Sequence, residues 1–224
     1  LSFVGFAQAA HLCGNQGAEC LDDPSFDLAT DGSQTSNSNW VLNVNFPDTV
    51  GPAAEFQDAG FASSDGVSPG VWFKSFEGNQ GGGGDPLADA NLSYQTVPVL
   101  QSGDFQATFS LIVEQNHSAT SSTASLSSSG TGGTHTFDIL ASPRVPSGGG
   151  FNQHVPQQVS LRIDGVTAGD VLTLEVDMTG GQDFGADPQS FMVDDFSLQF
   201  IPEPTSFALL GLGLFSLLGL RRRS

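Results

Sequence analysis

The sequence predicts an all-β fold, a sandwich of two antiparallel sheets, from its composition, its alternation and its turns. The 224 residues include 28 glycines and 18 phenylalanines, and only 13% are charged, a mixture that favours strands over amphipathic helices. Alternating apolar and polar residues recur along the chain, separated by stretches rich in glycine, serine and proline. Because short strands with one apolar face bury it between two packed sheets, we expect one sandwich domain over residues 22–200.

Five segments carry the alternation of the expected strands. In NWVLNVNF, one face holds Trp40, Leu42, Val44 and Phe46, and the other holds Asn43 and Asn45. The other segments are DFQATFSLIVEQ, QQVSLRID, DVLTLEVDM and VDDFSLQF. Their inward-facing residues are expected to be Phe105, Ala107, Phe109, Leu111, Val113, Val159, Leu161, Ile163, Leu172, Leu174, Val176, Phe196, Leu198 and Phe200. Turns are expected at 78–86, 125–134 and 146–150.

The charge of the chain is strongly negative, at −18. Within residues 1–201, 23 acidic groups oppose three basic ones, Lys74, Arg144 and Arg162. Such a body repels phosphate backbones, which argues against a nucleic-acid partner. The acidity suits solubility or divalent cations, and a solvated surface accounts for it equally well.

The N-terminal residues indicate export. LSFVGFAQAA ends in an A-x-A pattern, Ala7 to Ala9, so residues 1–10 are interpreted as the remnant of a signal peptide; a first β-strand is the alternative. Residues 11–21 then hold both cysteines, Cys13 and Cys20. In an exported chain this pair predicts a disulfide that closes a small loop. A two-cysteine metal site is less favoured, because His11 is the nearby imidazole and no second cysteine pair exists.

The C-terminal residues combine an apolar run with a basic end. Residues 207–220 form an uncharged run of 14, short of the ~20 that a comfortable membrane-spanning helix needs. Including Thr205 and Ser206, and with snorkelling arginines, a marginal span is possible. The arginines favour a cytoplasmic end that leaves the acidic body outside. Three glycines weaken the helix, so we expect a short hydrophobic helix that inserts transiently.

The same residues carry a specific pattern. Pro202-Glu203-Pro204, the apolar run, and the cluster Arg221, Arg222 and Arg223 resemble the PEP-CTERM sorting signal over residues 201–224. This resemblance implies export in a Gram-negative bacterium that makes exopolysaccharide, an extracellular or outer-surface location, and cleavage near 202–204 by an exosortase. Proline would keep the recognition triplet extended. An ordinary hydrophobic C-terminal helix is the alternative.

Three segments of the body resemble bacterial carbohydrate-binding modules with the galactose-binding-like jelly roll. These are Pro24-Ser25-Phe26-Asp27 ahead of Trp40, the segment LSYQTVPVLQSGDFQATFSLIV, and FMVDDFSLQF. The resemblance implies a jelly-roll sandwich and non-catalytic carbohydrate binding. Asp27 stands where the family often has Glu, and Asp22-Asp23 replaces the usual Asn.

A structural Ca²⁺ is one implication of that resemblance. Asp194 and Asp195 are adjacent, so on a strand their side chains face opposite sides and one would point toward Asp27. Carboxylate oxygens are suitable Ca²⁺ ligands. In the alternative interpretation, the two aspartates end a strand in solvent or cap a turn.

Aromatic residues are the candidates for stacking on sugar rings. Trp40, Trp72, Phe76 and Tyr94 could form such a platform, and Trp40 is expected in the core instead. Trp72 shares a face with Lys74 in GVWFKSF and is the better candidate for exposure. Trp72 and Tyr94 are therefore the two candidate ligand-binding residues.

Three functional hypotheses follow from these observations. The first is a surface-sorted sandwich that binds extracellular polysaccharide, and the second is a matrix or biofilm protein without a discrete site. The third is a secreted hydrolase, which the scarcity of glutamates disfavours. Exposed aromatics beside polar groups would favour the first, a smooth acidic surface the second, and a buried carboxylate pair in a cleft the third.

Overall fold

The computed structural model describes residues 13, 19–36, 38–47, 51–58, 60–78, 86–146, 150–183 and 189–201. These residues form eleven strands and three short 3-10 helices. The strands are β1 (Val41–Val44), β2 (Ala54–Gln57), β3 (Gly70–Lys74), β4 (Ala88–Gln95), β5 (Gly103–Glu114), β6 (Ser121–Ser128), β7 (Thr134–Asp138), β8 (Arg144–Val145), β9 (Gln157–Val166), β10 (Leu172–Gly181) and β11 (Ser190–Ile201). The 3-10 helices are Ser75–Glu77, Ile139–Ala141 and Phe151–Gln153. The signal-peptide remnant and the C-terminal helix that the sequence predicts lie outside the described residues.

The strands form two sheets, as predicted. The first sheet has the order β1-β4-β10-β6-β7, and the second has the order β2-β3-β11-β5, with β8 and β9 both paired to β5. One sheet contains β3-β11-β5-β9 as successive neighbours, and the other contains β4-β10-β6-β7. This is the strand order of a jelly roll. Pairing is antiparallel except between β5 and the two residues of β8, which run parallel.

The core consists of the inward-facing residues of both sheets. Every inward residue predicted in β5, β9, β10 and β11 is buried, because strict alternation turns one apolar face of each strand toward the other sheet. Phe196 is the centre of an aromatic cluster: its ring lies 5.0 Å from Trp40, 5.0 Å from Phe109 and 5.7 Å from Phe26. Rings of this size dominate the apolar area that a sandwich buries.

Two expectations about the strands are wrong. Phe46 is 60% exposed, because the edge strand β1 ends at Val44 before the alternation reaches it. The segment 125–134, expected to be a turn, contains the second half of β6 and the start of β7. Serines and threonines fill the outer face of β6, and its inner face has Ser122 beside two apolar residues, Ala124 and Leu126, so the strand carries little apolar signal.

Cys13 and Cys20 form a disulfide. The peptide N–H of Cys20 donates to the carbonyl of Leu198 in β11, and the carbonyl of Cys13 accepts from the N–H of Leu100. The disulfide-bonded segment is thereby joined to the end of the sandwich at which β11 ends.

Candidate functional site

An open cavity of about 360 Å³ lies on the outer face of the first sheet. Six polar residues define what we call the polar cleft: Asn43, Asn45, Asp89, Asn91, Asp177 and Thr179. They come from β1, β4, β10 and the residues that flank these strands. The cleft therefore offers amide, carboxylate and hydroxyl groups on a rigid three-strand surface.

The pairing of β4 with β1 and β10 determines which residues lie at the centre of the cleft. Asn91 of β4 lies directly opposite both Asn43 of β1 and Asp177 of β10, so the three side chains form a row across the sheet. The Asn91 side-chain amide donates to Asp177 Oδ1 at 2.7 Å. The row faces outward because the neighbouring residues Leu92 and Val176 are buried in the core.

One wall of the cleft is fixed by hydrogen bonds to backbone. Asn45 Nδ2 donates to the carbonyl of Leu87 at 2.7 Å, and Asn45 Oδ1 accepts from the N–H of Asp89 at 2.9 Å. Asp89 Oδ1 in turn accepts from the N–H of Gly180 at 2.7 Å. This N–H becomes available where the β4–β10 register shifts between Met178 and Gly181. The polar cleft is thus held by its own framework before any ligand binds.

An exposed aromatic residue directly follows this wall in sequence. Phe46 comes after Asn45, and 60% of its side chain is exposed. Phe46 is close to the cleft in sequence but is not among the residues that line it. Sequence reasoning missed this site because it assigned Phe46 to the core and treated Asn43 and Asn45 only as an outer face.

Trp72, the better candidate for exposure in the sequence, lies on the outer face of the second sheet and is half-buried. Its Nε1 donates to Ser190 Oγ at 2.7 Å, and its ring packs 4.8 Å from Phe61 and 5.5 Å from Phe76. The ammonium of Lys74 lies 5.2 Å from the ring centroid. The indole is therefore packed into a small cluster instead of being presented as a platform.

Tyr94 does not serve as a platform either, because its ring is 3% exposed. Its hydroxyl accepts from the N–H of Asp22 at 3.1 Å, and burial raises the pKa of Tyr94 to about 12. Trp40 is buried, as predicted, and its Nε1 donates to the carbonyl of Asp23 at 3.1 Å. Both rings connect the N-terminal segment to the core.

Asp194 is fully buried at an irregularity of β11. The register against β5 shifts between Asp194 and Ser197, and Asp195 takes a left-handed backbone conformation with φ 51°. Asp194 Oδ2 accepts from the N–H of Ser64 at 2.9 Å and Oδ1 from the N–H of Asp195 at 2.7 Å. Burial, with a smaller contribution from the Asp195 charge, raises the pKa of Asp194 to about 7.

The predicted calcium ligands are not brought together. Asp27 is exposed, whereas Asp195 interacts with the hydroxyls of Ser25 and Ser64. Among the residues that the structure describes, no three His, Cys, Asp or Glu side chains are grouped to hold a metal ion. Asp194 and Asp195 both contact Ser64, at the point where the register of β11 against β5 shifts.

Two features bear on a hydrolase. The pentapeptide GVSPG at 66–70 fits the G-x-S-x-G pattern, but it lies in a loop that leads into β3 and lacks the strand-turn-helix setting of a nucleophile elbow. Its Ser68 hydroxyl interacts with Asp65 at 3.4 Å. The buried His117 contacts the hydroxyls of Ser75 and Ser122, and burial lowers its pKa to about 3, so it is neutral. Neither feature assembles a triad.

No helix among the described residues is long and apolar enough to cross a membrane. The run 207–220, for which the sequence predicts a short hydrophobic helix, lies outside those residues.

Comparison with solved structures returns similar chains of several activities. The carbohydrate-binding module TmCBM61, solved with β-1,4-galactotriose, aligns at 15% identity with a TM-score of 0.47, covering 82% of this chain and 99% of its own. The K1 cleaved adhesin domain of Lys-gingipain from Porphyromonas gingivalis W83 aligns at 17% identity with a TM-score of 0.43, and the alignment covers 80% of this chain and 96% of that domain. The Stig cyclase Fisc from Fischerella sp. TAU aligns at 10% identity with a TM-score of 0.49, and the alignment covers 83% of this chain and 98% of the cyclase chain. All three TM-scores lie below 0.5, so these similarities give no basis for assigning a ligand.

The sequence itself gives a more specific match. No curated protein matches it significantly. Residues 200–223 match the PEP-CTERM protein-sorting motif. The first two of these, Phe200 and Ile201, are also the last two residues of β11. The chain therefore carries a PEP-CTERM motif that overlaps the end of its last strand, and this motif indicates an exosortase-sorted surface protein.

Proposed function

We propose that this protein is exported, processed by an exosortase and displayed at the cell surface, where its sandwich binds a polysaccharide without cleaving it. The observation that carries the binding proposal is the polar cleft, with its preformed row of Asn43, Asn91 and Asp177. Processing rests on the sorting motif at 200–223.

The chemistry of the polar cleft suits polyhydroxylated ligands. A planar amide or carboxylate can contact two neighbouring hydroxyls of one sugar at once, and the cleft offers several such groups on one surface. Each hydrogen bond contributes roughly 0.5–1.5 kcal/mol net, so we expect modest affinity per site that rises when a long polymer supplies many sites.

The position of the cleft supports display. β11 ends at Ile201, and we call the end of the sandwich where it does so the tether end. Ile201 pairs with Asp104, and the neighbouring Gly103 pairs with Val166, the last residue of β9. β9 therefore ends at the tether end, and β10, which follows it in the chain, begins there. Asp177 lies five residues along β10, roughly 17 Å from its start at about 3.3 Å per residue. The centre of the cleft thus lies about 17 Å from the tether end, on the outer face of the first sheet.

Catalysis is the less favoured function. The cleft contains two carboxylates, Asp89 and Asp177, but Asp89 is exposed and Asp177 is half-buried among amides and hydroxyls. A glycosidase keeps one carboxylic acid protonated in an apolar pocket, a setting that neither side chain has. Asp194 is buried in that way, but it is sealed beneath Ser64 and lines no cleft that we find among the described residues.

The binding test uses the protein recovered outside its native cells and the exopolysaccharide of those cells. The double variant Asn91→Ala/Asp177→Ala is expected to bind the polymer roughly tenfold more weakly in an affinity gel, because about two hydrogen bonds are lost. The matched control is Gln106→Ala/Gln199→Ala, two amides on the outer face of the second sheet. Equal retardation of both variants and the wild type would refute the cleft as the site.

A second arm separates binding from hydrolysis and from a site-free matrix role. Release of reducing ends from the polymer would identify a hydrolase. Retention of the protein in the matrix with no saturable binding in the gel would favour a structural component.

The sorting part has its own test. Pro202→Ala/Pro204→Ala is expected to leave the protein uncleaved and membrane-associated, because the recognition triplet is lost. Normal release of this variant would refute exosortase processing.

A further inference from the structure

The sorting motif begins inside the folded domain. Phe200 is 8% exposed and its ring lies 5.4 Å from Phe105, and Ile201 pairs with Asp104. Gly103 lies directly under Phe200, where a Cβ atom would come within 2.6 Å of the ring. β11 is therefore held in the sheet up to the residue before the Pro-Glu-Pro triplet.

The segment between the sandwich and the apolar run is short. Five residues, 202–206, separate Ile201 from Phe207, where the uncharged run begins. Fully extended, the chain from 201 to 207 spans at most about 20 Å, at roughly 3.5 Å per residue. The 12-residue strand β11 alone is about 40 Å long at roughly 3.3 Å per residue. A protein bound to residues 202–204 is thus brought against the tether end of the sandwich.

The tether end carries an exposed apolar pair. Val97 is 48% exposed and Leu100 is 54% exposed, in the segment between β4 and β5. The backbone of this segment is fixed, since Val99 N–H donates to the carbonyl of Asp170 and Leu100 N–H to that of Cys13. Apolar side chains on a fixed backbone form a surface that a partner can contact without ordering it first.

We propose that the tether end, with Val97 and Leu100 as its apolar contacts, is a docking surface for the membrane-bound sorting enzyme. The proposal rests on the proposed processing by an exosortase. The enzyme is assigned as the occupant by the length of the chain beyond β11, since residues 202–204 lie within about 10 Å of Ile201, the last residue of β11 at the tether end. Contact there adds a folded-domain component to recognition that the linear motif alone does not contain.

The experiment measures the rate of processing by pulse-labelling in the native cells. Leu100→Lys is expected to slow the loss of the C-terminal segment roughly fivefold, as substitutions at interface contacts commonly do. The matched control, Val155→Lys, introduces the same charge at a 90% exposed valine just before β9, near the distal end, and should leave the rate unchanged.

A spacer of about ten Gly/Ser residues between Ile201 and Pro202 tests the geometry, because a flexible linker of that length lets the enzyme bind the triplet away from the sandwich. With the spacer, Leu100→Lys and wild type should be processed at the same rate. An equal rate without the spacer, or a deficit that persists with it, would overturn the docking surface. Val97→Lys provides a second variant, and thermal melting of each purified variant checks its folding.

Pro202→Ala/Pro204→Ala in the same cells separates the two proposals. If that variant is processed normally, the exosortase proposal fails and the docking surface fails with it. If it is not processed and Leu100→Lys behaves as wild type, only the docking surface fails.

Discussion

The buried carboxyl of Asp194 predicts that the protein loses stability relative to the variant Asp194→Asn as the pH rises from about 4 to about 7. In the unfolded chain its pKa has the ordinary value of 3.8, so the group is ionised at pH 5. In the folded protein burial raises the pKa to about 7, and the group stays protonated. Because the folded state binds more protons between these values, the contribution of Asp194 to the free energy of unfolding falls through this window. His117 contributes in the opposite direction, because burial lowers its pKa from 6.5 to about 3, so the comparison with Asp194→Asn, which keeps His117, isolates the contribution of Asp194.

The magnitude follows from the two pKa values. The interval from 3.8 to about 7, at about 1.4 kcal/mol per pKa unit, corresponds to roughly 4 kcal/mol. Asp194 is 0% exposed, so solvent screening does not reduce this value. About 3 kcal/mol of it falls between pH 5 and pH 8, because the part between 3.8 and 5 lies below that range.

Urea unfolding in the presence of EDTA, at several pH values across this range, measures the effect. Asp194→Asn removes this titrating group and keeps His117, so the difference in the free energy of unfolding between wild type and this variant should fall by about 3 kcal/mol from pH 5 to pH 8, whatever the effect on absolute stability. Asp27→Asn makes the same change of charge at an exposed site, and its difference from wild type should not change with pH. A difference between wild type and Asp194→Asn that is constant or rises with pH would refute the reasoning, because Asp194 would then be ionised in the folded state.

Three further predictions concern the packing of the fold. Phe109→Ala should lower the free energy of unfolding by about 3–5 kcal/mol in urea, because Phe109 stacks 5.0 Å from Phe196 in the centre of the core; a loss below about 1 kcal/mol would contradict this packing. Replacing Cys13 and Cys20 by serine should cost about 2–3 kcal/mol, the value for a loop with a sequence separation of 7, and an unchanged urea midpoint would show that the loop is not constrained. EDTA should leave the melting temperature unchanged at neutral pH, since Asp27 is exposed and apart from Asp194; a lower melting temperature would restore the calcium site.

The long strands could be predicted from the sequence because each carries its own signal. In the 12-residue strand β5, the apolar residues Phe105, Phe109 and Val113 recur on one face. Only one register buries all of them. β6 was missed because its inner face is built from Ala124 and Leu126, whose burial depends on β10 alongside and not on local alternation.

The candidate site could not be predicted in the same way. Asn43, Asn91 and Asp177 are far apart in sequence, and only the pairing of β4 with both β1 and β10 makes them one row. Trp72 was predicted on the correct face, but nothing in GVWFKSF indicates that Phe61, from a preceding loop, would pack against it. The sorting motif is the opposite case, since a contiguous segment read by an enzyme is fully visible in sequence.

The intact mass of the protein recovered outside its native cells tests the central claim most directly, namely that a PEP-CTERM motif delivers a complete β-sandwich to the surface. We predict a C-terminus between residues 202 and 206, which retains all of β11 up to Ile201 and lacks the three arginines. A mass that includes Arg221 to Arg223 would contradict processing, and a C-terminus before Phe200 would contradict a sandwich that leaves the cell intact.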